Sequence, residues 1–370
     1  MASTRARTWP TLPRLCTDAW RAVTQSLRRG TGQAAALALR ALPRQARTVL
    51  IVYGDQPLLT SETVRALVRA HQVSGAACTL LTASVANPHG YGRIVRRGNT
   101  IERIVEELDA TPEECAIQEI NVGAAVCDRP LLERALQRIA PSNAKHEYYL
   151  TDALTQLATD APAAVQTHHT PDADEACGIN TRRDLAQAAA IVYRRVARRL
   201  LEEGVTIVDP STTYIDPGVR VGEDSTIFPC TVIERDVVIG RRCRIGPFAR
   251  IRSGVRLADD VRVGNFAEVV RSSLGARVRM NHCSYVGDAT VEADVNVGAG
   301  TITANYDGRA KHRTRIGARA FLGSGTVIVA PATVGARAVT GAGCVVTRGT
   351  RVKPGTVVVG VPARELRKLK

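Results

Sequence analysis

An aliphatic residue recurs at every sixth position through the C-terminal half of the chain, and few folds can use such a period. The run is Ile215, Val221, Ile227, Ile233, Ile239, Ile245, Ile251, Leu257, Val263 and Val269. After a phase-shifted middle it resumes at Ile316, Leu322, Ile328 and Val334, passes through Thr340, and continues at Val346, Val352 and Val358. A Gly often follows directly, as in Ile239-Gly240, Val263-Gly264 and Ile316-Gly317, and a small residue comes four positions later, as at Ala249, Ala267, Ala320, Thr326 and Ala332. A period of six fits neither an amphipathic helix nor an alternating strand. It is the hexapeptide signature of a parallel β-helix, a solenoid of short strands joined by tight turns. The aliphatic side chains are expected to point inward, with Gly and small residues turning the corners. One repeat cannot bury its apolar face alone, so the array should fold as a unit. Residues 304–313 break the rhythm and are expected to leave the solenoid as a loop, a usual carrier of function on a rigid scaffold.

The N-terminal half reads differently. Gln33 to Leu42 is an Ala/Leu-rich helix candidate after Gly30-Thr31-Gly32. Thr48 to Tyr53 is a continuous apolar run stopping at Gly54-Asp55, which reads as a buried parallel strand with an acid at its carboxyl end, where ligands of open α/β sheets gather. Ser61 is placed to cap a helix running to about His71. Cys78 to Ala83 reads as another buried strand, and a Gly-rich turn at Asn87–Arg93 enters a further one. Glu147 to Asp152 should begin a helix. Such alternation implies an α/β domain. Asp184 to Glu203 reads as a long amphipathic helix linking the halves, with Leu185, Ala189, Val192, Val196 and Leu200 on one face.

Composition narrows the function classes. The chain has 370 residues, enough for two domains. Its net charge of +15 suits phosphorylated ligands. No DNA- or RNA-binding motif accompanies the charge, so nucleic acid is not expected as a partner. The nine cysteines form no C-x-x-C pair, which argues against a zinc knuckle or disulfide framework and for a reducing, cytoplasmic compartment. No apolar run reaches the roughly 18 residues of a membrane span. Only His282 and His312 of the seven His lie in the repeat region, too few for a three-His zinc site of the carbonic anhydrase kind.

A series of local motifs carries a resemblance. They are V-T-Q-S-L-R-R-G-T-G-Q-A (23–34), L-I-V-Y-G-D-Q-P-L-L (50–59), N-P-H-G-Y-G-R-I (87–94), I-V-E-E-L-D-A-T (104–111), Q-E-I-N-V-G (118–123), E-Y-Y-L-T-D (147–152), G-P-F-A-R-I-R (246–252), G-N-F-A-E (264–268), N-H-C-S-Y-V-G-D-A (281–289), V-N-V-G-A-G-T-I-T-A-N-Y-D-G (295–308) and F-L-G-S (321–324). In this order they resemble the bifunctional N-acetylglucosamine-1-phosphate uridyltransferase/glucosamine-1-phosphate acetyltransferase family, over about Val23 to Gly360. The resemblance implies a nucleotidyltransferase-like, Rossmann-like α/β domain at 23–183 after an unassigned lead (1–22). A linker helix would follow at 184–204, then a left-handed parallel β-helix at 205–370. It implies acetyl transfer from acetyl-CoA to glucosamine-1-phosphate, then uridylyl transfer from UTP to N-acetylglucosamine-1-phosphate with Mg²⁺. It also implies a homotrimer with sites shared between subunits.

By the same resemblance His282 is the base that deprotonates the attacking amine, a role that needs a pKa near neutrality. Arg252, Tyr285, Asn296 and Lys311 match positions holding the sugar phosphate, and Asn305, Tyr306, Ser324 and Ala342 match acetyl-CoA positions. Asp55 and Asn180 match metal ligands, Gln25, Gly30 and Thr31 match uracil contacts, and Gly92, Glu106 and Asn121 match sugar contacts. The chain also departs from the pattern. The family's Lys pair after G-N-F-x-E-x is Val270-Arg271, with Arg271 the candidate to supply the lost charge. Cys283 stands where the family has Leu. Gly360 stands where an Arg is expected, with Arg364 or Arg367 as substitutes. Nothing before Val23 resembles the family's opening L-A-A-G-x-G-T-R-M loop and P-K, so the phosphate cradle is expected to be missing. Two other readings therefore stay open: an acetyltransferase with a scaffolding N-terminal domain, and a non-catalytic β-helix assembly subunit.

Overall fold

The computed structural model describes residues 22–161 and 164–366. The expectation about the opening loop rests on residues before Val23, of which 1–21 lie outside the described residues, and Arg367 lies outside them too. The chain divides into two compact units, Met1–Ala188 and Ala189–Lys370. Among the described residues no helix is long and apolar enough to cross a membrane.

The first unit runs α1 (Thr31–Ala41), β1 (Thr48–Val52), α2 (Ser61–Ser74), β2 (Cys78–Ser84), β3 (Arg93–Arg97), β4 (Thr100–Val105), α3 (Pro112–Cys115), β5 (Glu119–Asp128), α4 (Arg129–Leu136), α5 (Leu150–Asp160) and β6 (Val165–His169), with the start of α6 (Arg182–Glu202). Its sheet has the order β4-β3-β5-β2-β6, and β1 pairs with β5. The strand expected at Cys78–Ala83 is buried throughout, as its unbroken apolar pattern requires. The run at Thr48–Tyr53 is not the buried parallel strand expected. It lies antiparallel to β5, Thr48 opposite Asp128 and Val52 opposite Ala124, and Thr48, Leu50 and Val52 are exposed. An apolar run fixes a strand but not its neighbours, and among the described residues the far edge of β1 has no partner strand. Thr60, not Ser61, caps α2, its side chain accepting from Thr63 N–H. Glu147 to Tyr149 precede α5 as extended chain rather than opening the helix.

The second unit is a parallel β-helix with three sheets of ten, eight and eight strands, each strand stacking on the equivalent strand of the coil before it except the last, Arg364–Glu365, which folds back antiparallel to Val357–Val359. The period-six residues all point inward, and Ile227, Ile233, Ile245, Ile251, Leu322 and Ile328 are fully buried. The small residues do not turn the corners. Ala249, Ala267, Ala320 and Thr326 also point inward and are buried, filling the space that the larger side chains leave. Left-handed backbone makes the corners, and much of it is non-Gly: Asp224, Arg242, Asp260, Arg277 and Asp294 lie in one corner column. The Gly after the aliphatic residue answers a packing need instead. A Cβ at Gly264 would stand 1.9 Å from the Asn281 carbonyl oxygen of the next coil. The C-terminal half of α6 joins this core through Val196, Ala197 and Leu200. Leu185, expected on that face, is exposed, and Ala188 and Ile191 are buried in its stead.

Candidate functional site

The strands Arg262–Asn265 and Arg279–His282 stack in parallel with Asn265 opposite His282. His282 is exposed, and its Nδ1 lies 3.1 Å from Asn265 Oδ1. With the amide oxygen as acceptor, Nδ1 carries the proton and Nε2 keeps its lone pair. The next residue, Cys283, takes a left-handed φ of 33° and donates its N–H to the Asn265 carbonyl at 2.9 Å, which turns the chain and leaves the imidazole at the corner. The same corner continues along the solenoid through Ala299-Gly300, Ser324-Gly325 and Ala342-Gly343. Gly325 N–H donates to the Ala299 carbonyl and Gly343 N–H to that of Ser324. Coils repeat at about 4.8 Å, so His282, Ser324 and Ala342 lie on one line parallel to the axis. The corner is bulky on one side of His282, where Phe248 stacks on Phe266 with ring centroids 5.1 Å apart. On the other side it is bare glycine, a shelf with room for an extended ligand.

The adjoining sheet face carries Arg252, Tyr285 and the approach to Asn305. Arg252 is braced by Glu268, Nη1 to Oε1 at 3.0 Å, and its Nε stands 3.6 Å from Glu234 Oε1. The Tyr285 hydroxyl reaches over Gly287, where a Cβ would meet it at 2.6 Å. Val270 is buried and offers no charge. Arg271 does not replace it: its guanidinium forks onto both oxygens of Asp288 at 2.7 Å, so it is committed elsewhere. Asp288 also accepts from Asn305 Nδ2, and these two donors hold its carboxyl below the usual carboxylate range, Arg271 contributing most. Asn296 lies on a different sheet, in register with Arg279.

Residues 305–313 leave the solenoid, one residue later than the expected 304–313, because Ala304 still pairs with Val329 of the next coil. Tyr306 and Lys311 form an isolated antiparallel bridge, and His312 N–H donates to the Asn305 carbonyl at 2.7 Å. Asp307 ties this loop together. Its Oδ1 accepts from the N–H groups of Arg309 (2.9 Å) and Ala310 (2.8 Å), and its Oδ2 from His312 Nε2 (2.6 Å) and Arg348 Nη1 (3.2 Å). Asn265, Asp288, Asp307 and Arg348 were all missed by sequence reasoning. Asn265, Asp288 and Asp307 do lie inside G-N-F-A-E, N-H-C-S-Y-V-G-D-A and N-Y-D-G, so the motifs could have pointed to them.

In the first unit the positions matching uracil contacts gather at one turn. Gly30 has φ +103° and no room for a Cβ, the Tyr148 carbonyl oxygen standing 2.4 Å from where it would be. Gln25 Nε2 donates to the Gly30 carbonyl at 3.1 Å, and Thr31 Oγ1 accepts from Leu150 N–H at 3.0 Å. Gly92, Glu106 and Asn121 also come together. Asn121 N–H donates to the Gly92 carbonyl at 2.8 Å, and Glu106 carboxylate oxygens lie 3.6 Å from a Cβ built at Gly92. Burial pushes the Glu106 carboxyl up, partly offset by a hydrogen bond from Thr151. Ile179 N–H donates to the Asp55 backbone carbonyl at 2.9 Å, which brings the segment carrying Asn180 alongside Asp55. The pair offers one carboxylate and one carboxamide, oxygen donors that fit a hard cation retaining waters and phosphate ligands. Among the described residues there is no cluster of three or more His, Cys, Asp or Glu to hold a softer metal. A cleft of about 720 Å³ runs between Thr31 and Asp55, walled by Ala34, Leu50, Val52 and Tyr53.

Comparison with known proteins agrees with this geometry. Residues 10–117 match a MobA-like NTP transferase domain. Residues 236–271 match the bacterial transferase hexapeptide (six repeats), and 313–348 the hexapeptide repeat of succinyl-transferase. The bifunctional protein GlmU of Desulfitobacterium hafniense is 42% identical over 352 residues, 86% of this chain and 77% of that protein. That of Heliobacterium modesticaldum is 42% identical over 339 residues, 82% and 74% of the two chains. The chain belongs to the GlmU family. It is therefore a transferase whose two halves serve acetyl and uridylyl transfer in UDP-N-acetylglucosamine synthesis. The two hexapeptide matches leave residues 272–312 between them, where this GlmU relative departs from regular repeats and carries His282, Asn305 and Lys311.

Proposed function

We propose that His282 is the general base of acetyl transfer to glucosamine-1-phosphate, with Nε2 as the proton acceptor. The Asn265–His282 pair carries this reading: it braces the ring, and with Asn265 Oδ1 accepting from Nδ1–H it leaves Nε2 its lone pair. Nε2 takes a proton from the amine as nitrogen attacks the acetyl carbonyl. The tetrahedral intermediate collapses, the C–S bond breaks, and coenzyme A leaves as a thiol once protonated by the imidazolium. Ser324 and Ala342 hold acetyl-CoA along the bare corner that ends at His282, and Asn305 and Tyr306 hold it from the adjoining face and loop. Lys311 and Arg252 meet the sugar phosphate, with Tyr285 and Asn296 fixing the sugar. In the first unit Gln25, Gly30 and Thr31 read uracil, and Gly92, Glu106 and Asn121 the sugar. Asp55 and Asn180 would hold Mg²⁺, which neutralises phosphate charge when bound. The assembly is a homotrimer in the cytoplasm. The outward residues Ile302, Val327 and Val345, stacked in one sheet, support the first, and eight described cysteines held as thiols, Cys78 and Cys127 in hydrogen-bond contact, the second.

A thiol-release assay with acetyl-CoA and glucosamine-1-phosphate tests the acetyl half. His282→Ala should lose roughly 10²–10⁴-fold in rate while keeping its melting curve. Near-wild-type turnover in a folded variant would sink the assignment. Cys283→Ala should keep most activity, since direct attack needs no acyl-cysteine; inactivity there would move the chemistry one residue along. Pyrophosphate release from UTP and N-acetylglucosamine-1-phosphate tests the other half, and its absence would leave an acetyltransferase with a scaffolding N-terminal unit.

A further inference from the structure

The solenoid manages its surface charge with one rule and one exception. In the corner column of left-handed residues the signs alternate: Arg242 forks onto Asp260 at 2.9 and 3.0 Å, and Arg277 onto Asp294 at 2.6 and 2.8 Å. On one eight-stranded sheet Arg250 stacks directly under Glu268 and is paired to Glu234. On the other, arginines are kept apart by neutral rungs, in the order Arg220, Val238, Arg256, Ser273, Thr290, Arg315, Thr333, Arg351. On the ten-stranded sheet three arginines follow on three successive rungs: Arg244 opposite Arg262, and Arg262 opposite Arg279.

Like charges directly opposite one another in a sheet are unfavourable, and this stack has no relief. Among the described residues no carboxylate lies within ion-pair distance of Arg244, Arg262 or Arg279, although Asp294 feels Arg279 at longer range. Arg244 lies over the Phe228 ring at 4.8 Å from its centroid; that steadies the first rung without neutralising it. All three side chains are exposed. A device that costs stability and is avoided on the other two faces points to a ligand that supplies the missing negative charge. The stack spans two rung spacings, about 10 Å, more than one phosphate covers. Its position adds to this. Arg279 opens the strand that ends at His282, and the next rung of the same column is Asn296.

We propose that Arg244, Arg262 and Arg279 form an anion-binding ladder for ligands carrying a diphosphate, running across the ten-stranded sheet parallel to the corner that carries His282, one short strand away from it. The inference rests on strand register and the absence of counter-charges, and it stands whether or not His282 is the base. Two sources share the chemistry: a free diphosphate or nucleotide, which the geometry favours, and the coenzyme's diphosphate, which would have to leave the Ser324–Ala342 corner because that corner extends from His282 away from Arg244 and Arg262.

The test is calorimetry on the full chain against inorganic pyrophosphate, coenzyme A and inorganic phosphate, comparing wild type with the triple variant Arg244→Gln, Arg262→Gln, Arg279→Gln. The wild type should bind pyrophosphate more tightly than phosphate, and the variant should bind at least one diphosphate ligand about tenfold or more weaker, the effect of removing charge-assisted hydrogen bonds. A loss confined to coenzyme A assigns the ladder to the acyl donor, and a loss extending to pyrophosphate to free diphosphates. Unchanged affinity for both, or phosphate binding as tight as pyrophosphate, overturns the proposal. The single variant Arg262→Gln should melt no lower than wild type, because it removes a like-charge contact. A lower Tm with unchanged anion affinity would make the stack a structural element and overturn the inference as well.

Discussion

An imidazole at an exposed corner is only as useful as its orientation, and at His282 one carboxamide provides that. Asn265 holds Nδ1–H and leaves Nε2 free, so Asn265→Ala should lower kcat roughly tenfold, the worth of about one hydrogen bond, with KM for both substrates little changed. Steady-state kinetics with the rate followed against pH would check it; an unaltered kcat means that packing alone holds the ring. Asp307 plays a comparable part for the loop that carries Asn305, Tyr306 and Lys311. Two backbone N–H groups, then His312, hold its carboxyl far below the usual carboxylate range. A depressed folded pKa contributes stability above the unfolded value and loses it as pH falls through the folded one. The Asp307 side of the latch should therefore persist from neutral pH down past about pH 4, where an ordinary Asp would be protonated. Asp307→Asn should raise KM for acetyl-CoA more than it lowers kcat, with Tm nearly unchanged because the carboxyl lies at the surface. An equal fall in kcat at constant KM would contradict a latch.

At the scale of the element, two kinds of glycine in the solenoid do opposite jobs. Gly264 has an ordinary φ but abuts the Asn281 carbonyl of the next coil, so Gly264→Ala forces adjacent coils apart beside His282. Overpacking of this kind costs roughly 1–3 kcal/mol and should appear as a lower Tm by calorimetry. Gly343 has φ +69° and open space around it. Equivalent left-handed corners hold Asp at 224, 236, 260 and 294, so Gly343→Asp should fold with a Tm close to wild type. It should nonetheless raise KM for acetyl-CoA, since it places a carboxylate on the bare shelf beside Ala342. A melting curve and a coenzyme titration on the same sample separate the two effects, and unchanged coenzyme KM would remove that corner from the binding path.

For the whole molecule, the apolar outward column Ile302, Val327, Val345 leaves a flat strip on one sheet that a second and third copy can cover. Light scattering at working concentration should report three chains, and a stable monomer would count against it. Such an assembly also bears on the half-built look of the acetyl site. Val270 supplies no cation and Arg271 is held by Asp288, so of the cations proposed to meet the sugar phosphate one chain offers Lys311 and the braced Arg252.

The period of six was enough to specify the solenoid, because inward and outward are decided residue by residue, and every sixth side chain being aliphatic leaves one way to bury them. The break at 304–313 likewise announced the loop, since a stretch without the repeating aliphatic residues cannot form a regular coil. The sequence did not carry the neighbours across coils. The steps from Asn265 to His282, Ala299, Ser324 and Ala342 are unequal, with the loop intervening, and only backbone stacking sets them on one edge. The same holds for Arg271, whose partner Asp288 is a coil away, and for the three stacked arginines, which read along the chain as separate surface charges. In the first unit the run at Thr48–Val52 declared a strand, but its antiparallel pairing with β5 and its open edge came from tertiary contacts. Periodicity records which way each side chain faces; which residues meet depends on coil length and sheet register, and those are properties of the folded chain.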